Sequence, residues 1–322
     1  MNLKGRAFIN TLEFRREEIE HLLDRAKELK SGKVLRALEG KSVALVFFNP
    51  SLRTRVSFEV GIAQLGGQAI TMSVGTESWT LEYREGAVMD QDKTEHIKDA
   101  ARVLSRYVDA IAVRAFPGLK SREEDLSDPV LEAFRKYATV PVINMESALW
   151  HPCQGMADAL TIREKFGRVK GVKVTLTWAY HPKALPMAVP NSFAAIVSQL
   201  DGDLTIAHPR EFPLEPIVLN ALPRKPRIVH GKEEALEGAQ VVYAKSWGGS
   251  AYYGRWEEEK VVRDGLKSWI CDAIPAGAVF LHCLPVRRNV EVADAVLDGS
   301  AIYDAAENRL HVQKAVLSEM VK

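Results

Sequence analysis

Along almost the whole chain, short runs of apolar β-forming residues alternate with stretches whose apolar positions recur at helical spacing. Ile19, Leu22, Leu23, Ala26 and Leu29 share one helix face, and Ser42–Phe48 (SVALVFF) then reads as a buried strand. The chain after Arg53 returns to helical spacing. Further strands are expected at Ala69–Val74, Ala110–Val113 and Val140–Asn144, with helices over Glu95–Tyr107 and Pro129–Tyr137. The second half repeats the pattern, with strands at Lys173–Trp178, Asp203–Ala207, Val241–Ala244 and Val279–His282. Such a succession needs parallel sheets covered by helices. The expected class is α/β: two doubly wound parallel-sheet domains side by side, 1–145 and 146–305, with a C-terminal helix in 306–322 crossing back to the first domain. Gly75–Asp92 and Ser246–Arg263 are the expected mobile stretches.

Composition sets the class of partner. A chain of 322 residues suits about two domains. Lys+Arg is 43 and Asp+Glu 42, a net charge of +1, so nucleic acid is not an expected partner. No apolar run approaches the roughly 20 residues that span a bilayer, and MNLKGRAFIN lacks a signal-peptide core. A cytoplasmic protein with no membrane partner is expected. Cys153, Cys271 and Cys283 are too few and too scattered for a disulfide framework or a zinc site, and no metal or other cofactor is expected.

Ligands of doubly wound sheets sit beyond the carboxyl ends of the strands. After Phe48 the chain reads Asn49-Pro50-Ser51-Leu52-Arg53-Thr54-Arg55 and enters a helix. Unpaired N–H groups of a first helical turn, two hydroxyls and two arginines make an anion site suited to phosphate. The plainer alternative is a capped helix with solvated arginines. The Gly-x4-Gly-Lys-Ser/Thr pattern of a P-loop is absent.

Ser51-Leu52-Arg53-Thr54-Arg55 resembles the Ser-x-Arg-Thr-Arg phosphate motif of aspartate and ornithine carbamoyltransferases. His151-Pro152-Cys153-Gln154 resembles their His-Pro-x-Gln motif, and His282-Cys283-Leu284-Pro285 the His-Cys-Leu-Pro motif of the ornithine branch. The resemblance implies that 1–145 binds carbamoyl phosphate and 146–305 an acyl-ornithine acceptor. Ser51, Leu52, Arg53 and Thr54 would hold the phosphate, and Arg114 would reach both phosphate and carbonyl oxygen. His151 and Gln154 would bind the carbamoyl group, the backbone of Cys283 and Leu284 would accept from its NH2, and Arg309 would close the site. The family does not use a covalent cysteine. Taken singly, His151 could cap the following helix, Cys283 could be a buried thiol and Arg309 a surface ion-pair residue.

The Ser-Met-Gly loop of ornithine enzymes is absent, and Val242-Tyr243-Ala244-Lys245-Ser246-Trp247-Gly248 stands instead. The chain is most similar to carbamoyltransferases of N-acylated ornithine, through segments such as Val113-Arg114-Ala115-Phe116-Pro117, Arg287-Arg288-Asn289 and Glu307–Lys314. An acylated ornithine has no free α-ammonium, and its carboxylate needs a cation. The resemblance implies Lys245 for that carboxylate, Glu146 for the acceptor's nitrogen and Arg287 near the acyl or carboxylate end. It also implies a homotrimer in which Trp79 reaches a neighbouring subunit's site. At Thr94 the acetylornithine enzymes carry glutamate and the succinylornithine enzymes a small uncharged residue. Glu291 is either an anion near the acyl group or a solvated helix residue. Acetyl is the preferred acyl group and succinyl the alternative.

The implied reaction moves the carbamoyl group of carbamoyl phosphate to the δ-amine of N-acetyl-L-ornithine, in arginine biosynthesis. Thr54, Arg114 and His151 would stabilise the oxyanion, and Arg53 and Arg55 would assist the leaving phosphate. The rival of another class is a catalytically silent binding homologue.

Overall fold

Within the two main sheets each crossover from one strand to the next runs through helix, and the strands pair in parallel. The computed structural model describes residues 2–322 and divides into two units. The first takes residues up to 118, then 123–153 and 309–322; the second takes 119–122 and 154–308.

The first unit holds β1 (Ser42–Phe47), β2 (Gln68–Ser73), β3 (Leu81–Glu82), β4 (Glu95–His96), β5 (Ala110–Arg114) and β6 (Val142–Glu146). Its main sheet has the order β2-β1-β5-β6. The chain adds β2 to one side of β1 and β5 to the other, so the order reverses between β1 and β5. A crevice opens at such a reversal, beyond the carboxyl ends of the two strands. Those ends carry Ser51–Thr54 and Arg114. The register slips between Val113 and Arg114, where Val113 faces Asn144 but Arg114 faces Glu146. One extra residue, Met145, lies in β6 at this bulge and brings Glu146 opposite Arg114. Residues 309–320 of the last helix (Ile302–Met320) pack on the helix Arg53–Gln64. Gly61 permits that approach: a Cβ there would lie 3.3 Å from both Leu310 Cδ1 and Lys314 Cγ.

In the second unit β7 (Lys173–Trp178), β8 (Asp203–Ala207), β9 (Arg227–Val229), β10 (Val241–Lys245) and β11 (Val279–Leu281) form one sheet in the order β11-β10-β7-β8-β9. Its reversal lies between β7 and β10, and the chain beyond their ends carries His181 and Lys245. The helix Ala188–Gln199 is buried along all of its length. Gly155 lets the helix Pro152–Phe166 approach it, since a Cβ there would sit 2.7 Å from the Ser192 carbonyl oxygen.

Three differences from the sequence reading have local causes. The helix expected over Glu95–Tyr107 covers only Ile97–Leu104, because Glu95 and His96 pair with β3 and His96 Nδ1 accepts from the Lys98 N–H as a cap. β9 is a three-residue edge strand with exposed Arg227 and Ile228, too short to show alternation. The first unit continues past Met145 through Cys153, since Asn144 and Asp128 hold the loop that follows.

Ser246–Arg263, expected to be mobile, is anchored. Arg263 and Glu259, on the helix Trp256–Asp264, are each 1% exposed and form a buried ion pair. Arg263 also donates to Ser246 Oγ at 2.9 Å and to the Trp247 carbonyl at 3.0 Å, while Glu259 accepts from the Gly249 N–H at 3.1 Å. Its guanidinium stands 5.2 Å from the Trp178 ring and 4.9 Å from the Phe212 ring. Glu259→Ala would strand a buried cation, and breaking such a pair costs about 3–5 kcal/mol. Urea unfolding should show a loss of that size, whereas the double replacement Glu259→Met with Arg263→Met should recover most of it. A single-variant loss within experimental error of zero would mean that the pair does not hold the loop.

Candidate functional site

In the first unit, three side chains from three segments, Arg114, His151 and Arg309, converge on one hydroxyl and one carboxylate. Thr54, 1% exposed at the start of its helix, accepts from Arg309 Nη2 at 2.6 Å and from Arg114 Nη1 at 3.3 Å. Arg114 Nη1 also donates to Glu146 Oε2 at 2.5 Å, and His151 Nε2 lies 3.5 Å from the same oxygen. Ser51 Oγ accepts from the Thr54 N–H at 3.2 Å, which orders the helix entry. Among the described residues, the buried Nε–H groups of Arg53, Arg114 and Arg309 have no hydrogen-bond partner. Guanidinium groups gathered at one helix entry, with unpaired donors and the Glu146 carboxylate to offset them, suit a compact dianion.

Burial, and then Arg309 and Arg114, depress the His151 pKa well below its ordinary value, so the imidazole is neutral. A neutral ring can donate one hydrogen bond and accept another. Burial also lowers the Arg309 pKa, with Arg114 and Arg53 adding to the effect and Glu146 opposing it. The Cys153 thiol is pushed up to about 12 by burial, which removes it as a nucleophile at neutral pH.

The residues that hold this arrangement were not singled out from the sequence. Asn49 Oδ1 accepts from the Phe116 N–H at 2.7 Å, joining the loops after β1 and β5. Asn144 Nδ2 donates to the Ile9 carbonyl at 2.9 Å and to Ser147 Oγ at 3.1 Å, and Ser147 Oγ donates to Asp128. This network fixes the loop that ends in His151. A lone asparagine inside the apolar run VINME is the signal that could have found it, because a buried amide needs partners.

Trp79 and Thr94 stand in the short segments that lead into β3 and β4. The Thr94 N–H donates to the Thr80 carbonyl at 3.1 Å, Trp79 is 64% exposed, and Thr94 is exposed. Gly75, with φ +83°, turns the chain between β2 and this segment, a conformation that favours glycine.

In the second unit a separate cluster forms around His181. Arg287 Nε donates to His181 Nε2 at 3.0 Å, and His181 Nδ1 lies 3.0 Å from the Lys183 N and 2.9 Å from the Lys183 carbonyl oxygen. Burial lowers the His181 pKa; Lys245 and Arg287 act in the same direction, and Glu291 opposes them. Lys245 is buried at the end of β10, and its Nζ donates to the Ser246 carbonyl at 3.2 Å. Glu291 is buried, lies outside any helix and accepts from the Arg287 N–H at 2.8 Å, so it is not a solvated helix residue. The backbone of Leu284 has φ +53°, and its N–H donates to His282 Nδ1 at 2.9 Å. Gln154 and Asp158 lie nearby in sequence on the helix Pro152–Phe166, bonded to each other at 2.9 Å. The structure thus gathers Ser51, Thr54, Arg114, Glu146, His151 and Arg309 in one unit, and Lys245 and Arg287 in the other.

No group of three or more His, Cys, Asp or Glu side chains able to hold a metal occurs among the described residues, and no helix there is long and apolar enough to cross a membrane.

Two family models match the chain: the carbamoyl-P binding domain of aspartate/ornithine carbamoyltransferase over residues 6–164, and the Asp/Orn binding domain of the same family over residues 170–320. The chain is 46% identical to the N-acetylornithine carbamoyltransferase of Xanthomonas campestris pv. campestris, over 100% of this chain and 98% of that protein. It is 36% identical to the N-succinylornithine carbamoyltransferase of Bacteroides thetaiotaomicron, over 95% of this chain and 93% of that protein. Among solved structures, an acetylornithine transcarbamylase complexed with acetylcitrulline matches with a TM-score of 0.96 and 45% identity, covering 98% of this chain and 99% of that one.

The depressed His151 pKa has a consequence for stability. Below the ordinary imidazole value of 6.5 the unfolded chain takes up a proton that the folded one refuses, so the His151 contribution to stability is complete above that value and declines as pH falls through it. His151→Gln should therefore lose less Tm than the wild type between about pH 7 and pH 5. Equal slopes for the two proteins would show that His151 titrates normally in the folded state.

Proposed function

We propose, from the premise that the chain belongs to the aspartate/ornithine carbamoyltransferase family, that it transfers the carbamoyl group of carbamoyl phosphate to the δ-amine of N-acetyl-L-ornithine, giving N-acetyl-L-citrulline and phosphate. The observation that carries this reading is the pair of buried guanidinium groups on Thr54, with Nε–H donors still unpaired, at the carboxyl ends of β1 and β5.

Arg53, Arg309 and the first helical turn after Leu52 bind the phosphate, and its negative charge offsets the cations around it. Arg114, Thr54 and neutral His151 donate to the carbonyl oxygen as it gains charge under attack by the amine. Gln154 and the backbone carbonyls of Cys283 and Leu284 accept from the carbamoyl NH2. The departing phosphate can take the amine's proton, so no dedicated base is needed. Orientation of two bound reactants supplies much of the rate. Lys245 and Arg287 bind the acceptor's carboxylate end, and Glu146 accepts from its nitrogen. The product belongs to arginine biosynthesis in the cytoplasm.

Acetyl is favoured over succinyl as the acyl group by the 46% against 36% identity and by buried Glu291 beside Arg287, a charge that disfavours a second carboxylate. Parallel assays with N-acetylornithine, N-succinylornithine and ornithine test the reading. Turnover should be highest with the acetyl compound; no phosphate release with any of them would leave the catalytically silent homologue. Thr94→Glu should depress succinylornithine activity more than acetylornithine activity. Like charges roughly 4 Å apart at an effective dielectric near 20 repel by about 4 kcal/mol before screening, so even a fraction of this gives about a tenfold change in the ratio of specificity constants. An unchanged ratio would remove Thr94 from the acyl end.

The active form is a homotrimer in which Trp79 and Thr94 serve a neighbouring subunit's site. An exposed tryptophan next in sequence to Thr80, which accepts from the Thr94 N–H, and the exposed apolar Leu52, Val56 and Val60 support this arrangement. Subunit exchange between inactive Trp79→Ala and inactive Arg114→Ala proteins should rebuild intact sites, about a quarter of the total at equal mixing. Proven mixed trimers without recovered activity would rule out shared sites.

A further inference from the structure

We propose that Asp158 is a positioning residue that fixes which end of the Gln154 amide meets the ligand, and so makes the protein choose a carbamoyl over an acetyl group on the same phosphate. This rests on the assignment of carbamoyl phosphate as a substrate. Gln154 and Asp158 stand one turn apart on the helix Pro152–Phe166 and are 1% and 0% exposed. Gln154 Nε2 donates to Asp158 Oδ1 at 2.9 Å. The other end of the amide, Oε1, is buried and has no hydrogen-bond partner among the described residues.

An amide can turn about its last bond and present either a donor or an acceptor. A carboxylate oxygen selects the donor end, because a flipped amide would set oxygen against oxygen. With Nε2 held by Asp158, Gln154 keeps its oxygen, an acceptor, for what binds beside it. Carbamoyl phosphate has one group that donates there, its NH2; the methyl of acetyl phosphate has none. The position of the pair is set by packing rather than by the ligand, since the close approach at Gly155 locks this helix against Ala188–Gln199. On the other side, Asp158 and Cys283 border the buried Tyr243 hydroxyl of β10.

The experiment measures the affinities of the whole protein for carbamoyl phosphate and for acetyl phosphate by calorimetry, and their ratio is the readout. The wild type should favour carbamoyl phosphate. Asp158→Leu frees the amide to turn and should reduce the ratio by about tenfold, the usual worth of one buried hydrogen bond, while acetyl phosphate affinity stays within about twofold. Asp158→Asn, whose side-chain oxygen can still accept from Gln154, should keep the ratio close to that of the wild type. Asp158→Ser, too short to reach Gln154, is the second variant if the leucine protein does not fold, and should match the loss expected for it. Equal weakening of both ligands, or an unchanged ratio in the leucine and serine proteins, would overturn the positioning role alone. A wild type that does not distinguish the two phosphates would overturn the carbamoyl phosphate assignment as well.

Discussion

Two guanidinium groups share the single hydroxyl oxygen of Thr54, and keeping them there out of water is the constraint on which the first unit is built. Cations so close repel, and burial penalises each of them. Glu146 supplies one negative charge, and the bulge at Met145 sets it opposite Arg114. The remaining imbalance favours an anion. Arg309 arrives on a helix that lies closely on the helix Arg53–Gln64, an approach eased at Gly61, where a Cβ would lie 3.3 Å from the Leu310 and Lys314 side chains. The same cations help keep His151 neutral, a state in which the ring can donate one hydrogen bond and accept another.

The second unit solves a related problem with a different device. Its buried Arg263 is neutralised one turn away by Glu259 and spends its other donors on the loop after β10. Stacking over Trp178 and Phe212 replaces water on its faces. Lys245 and Arg287 are therefore held on ordered backbone, and the buried Glu291 that accepts from the Arg287 N–H tempers their charge. A buried ion pair used this way adds little net stability, but removing one partner is costly. That asymmetry makes the loop definite.

Much of the site was legible because its parts are local. Ser51–Thr54 form a helix entry directly after a strand, and short range decides that geometry. Arg114 and Lys245 end strands whose apolar runs stand out in the sequence. The helix starting at Ile97 was overextended because β3 and β4 contribute only two residues each, too few for alternation to register. Ser246–Arg263 looked loose because its charges are numerous. Two of them, Glu259 and Arg263, are buried against each other, and spacing of four residues on a helix is equally common on solvated faces.

The order of strand and helix, the parallel sense of the sheets and the chemical character of the loops beyond their strands were set by sequence alone, since period-two and period-3.6 patterns and βαβ handedness act within a few dozen residues. Only the tertiary structure decided that Glu146 would neutralise Arg114, that Arg309 would reach Thr54 across 255 residues, and that Gln154 would turn its carbonyl away from Asp158. The reason is the same in each case. These outcomes depend on which polar atoms find partners when water is excluded, and burial of that kind is a property of the packed chain rather than of any segment.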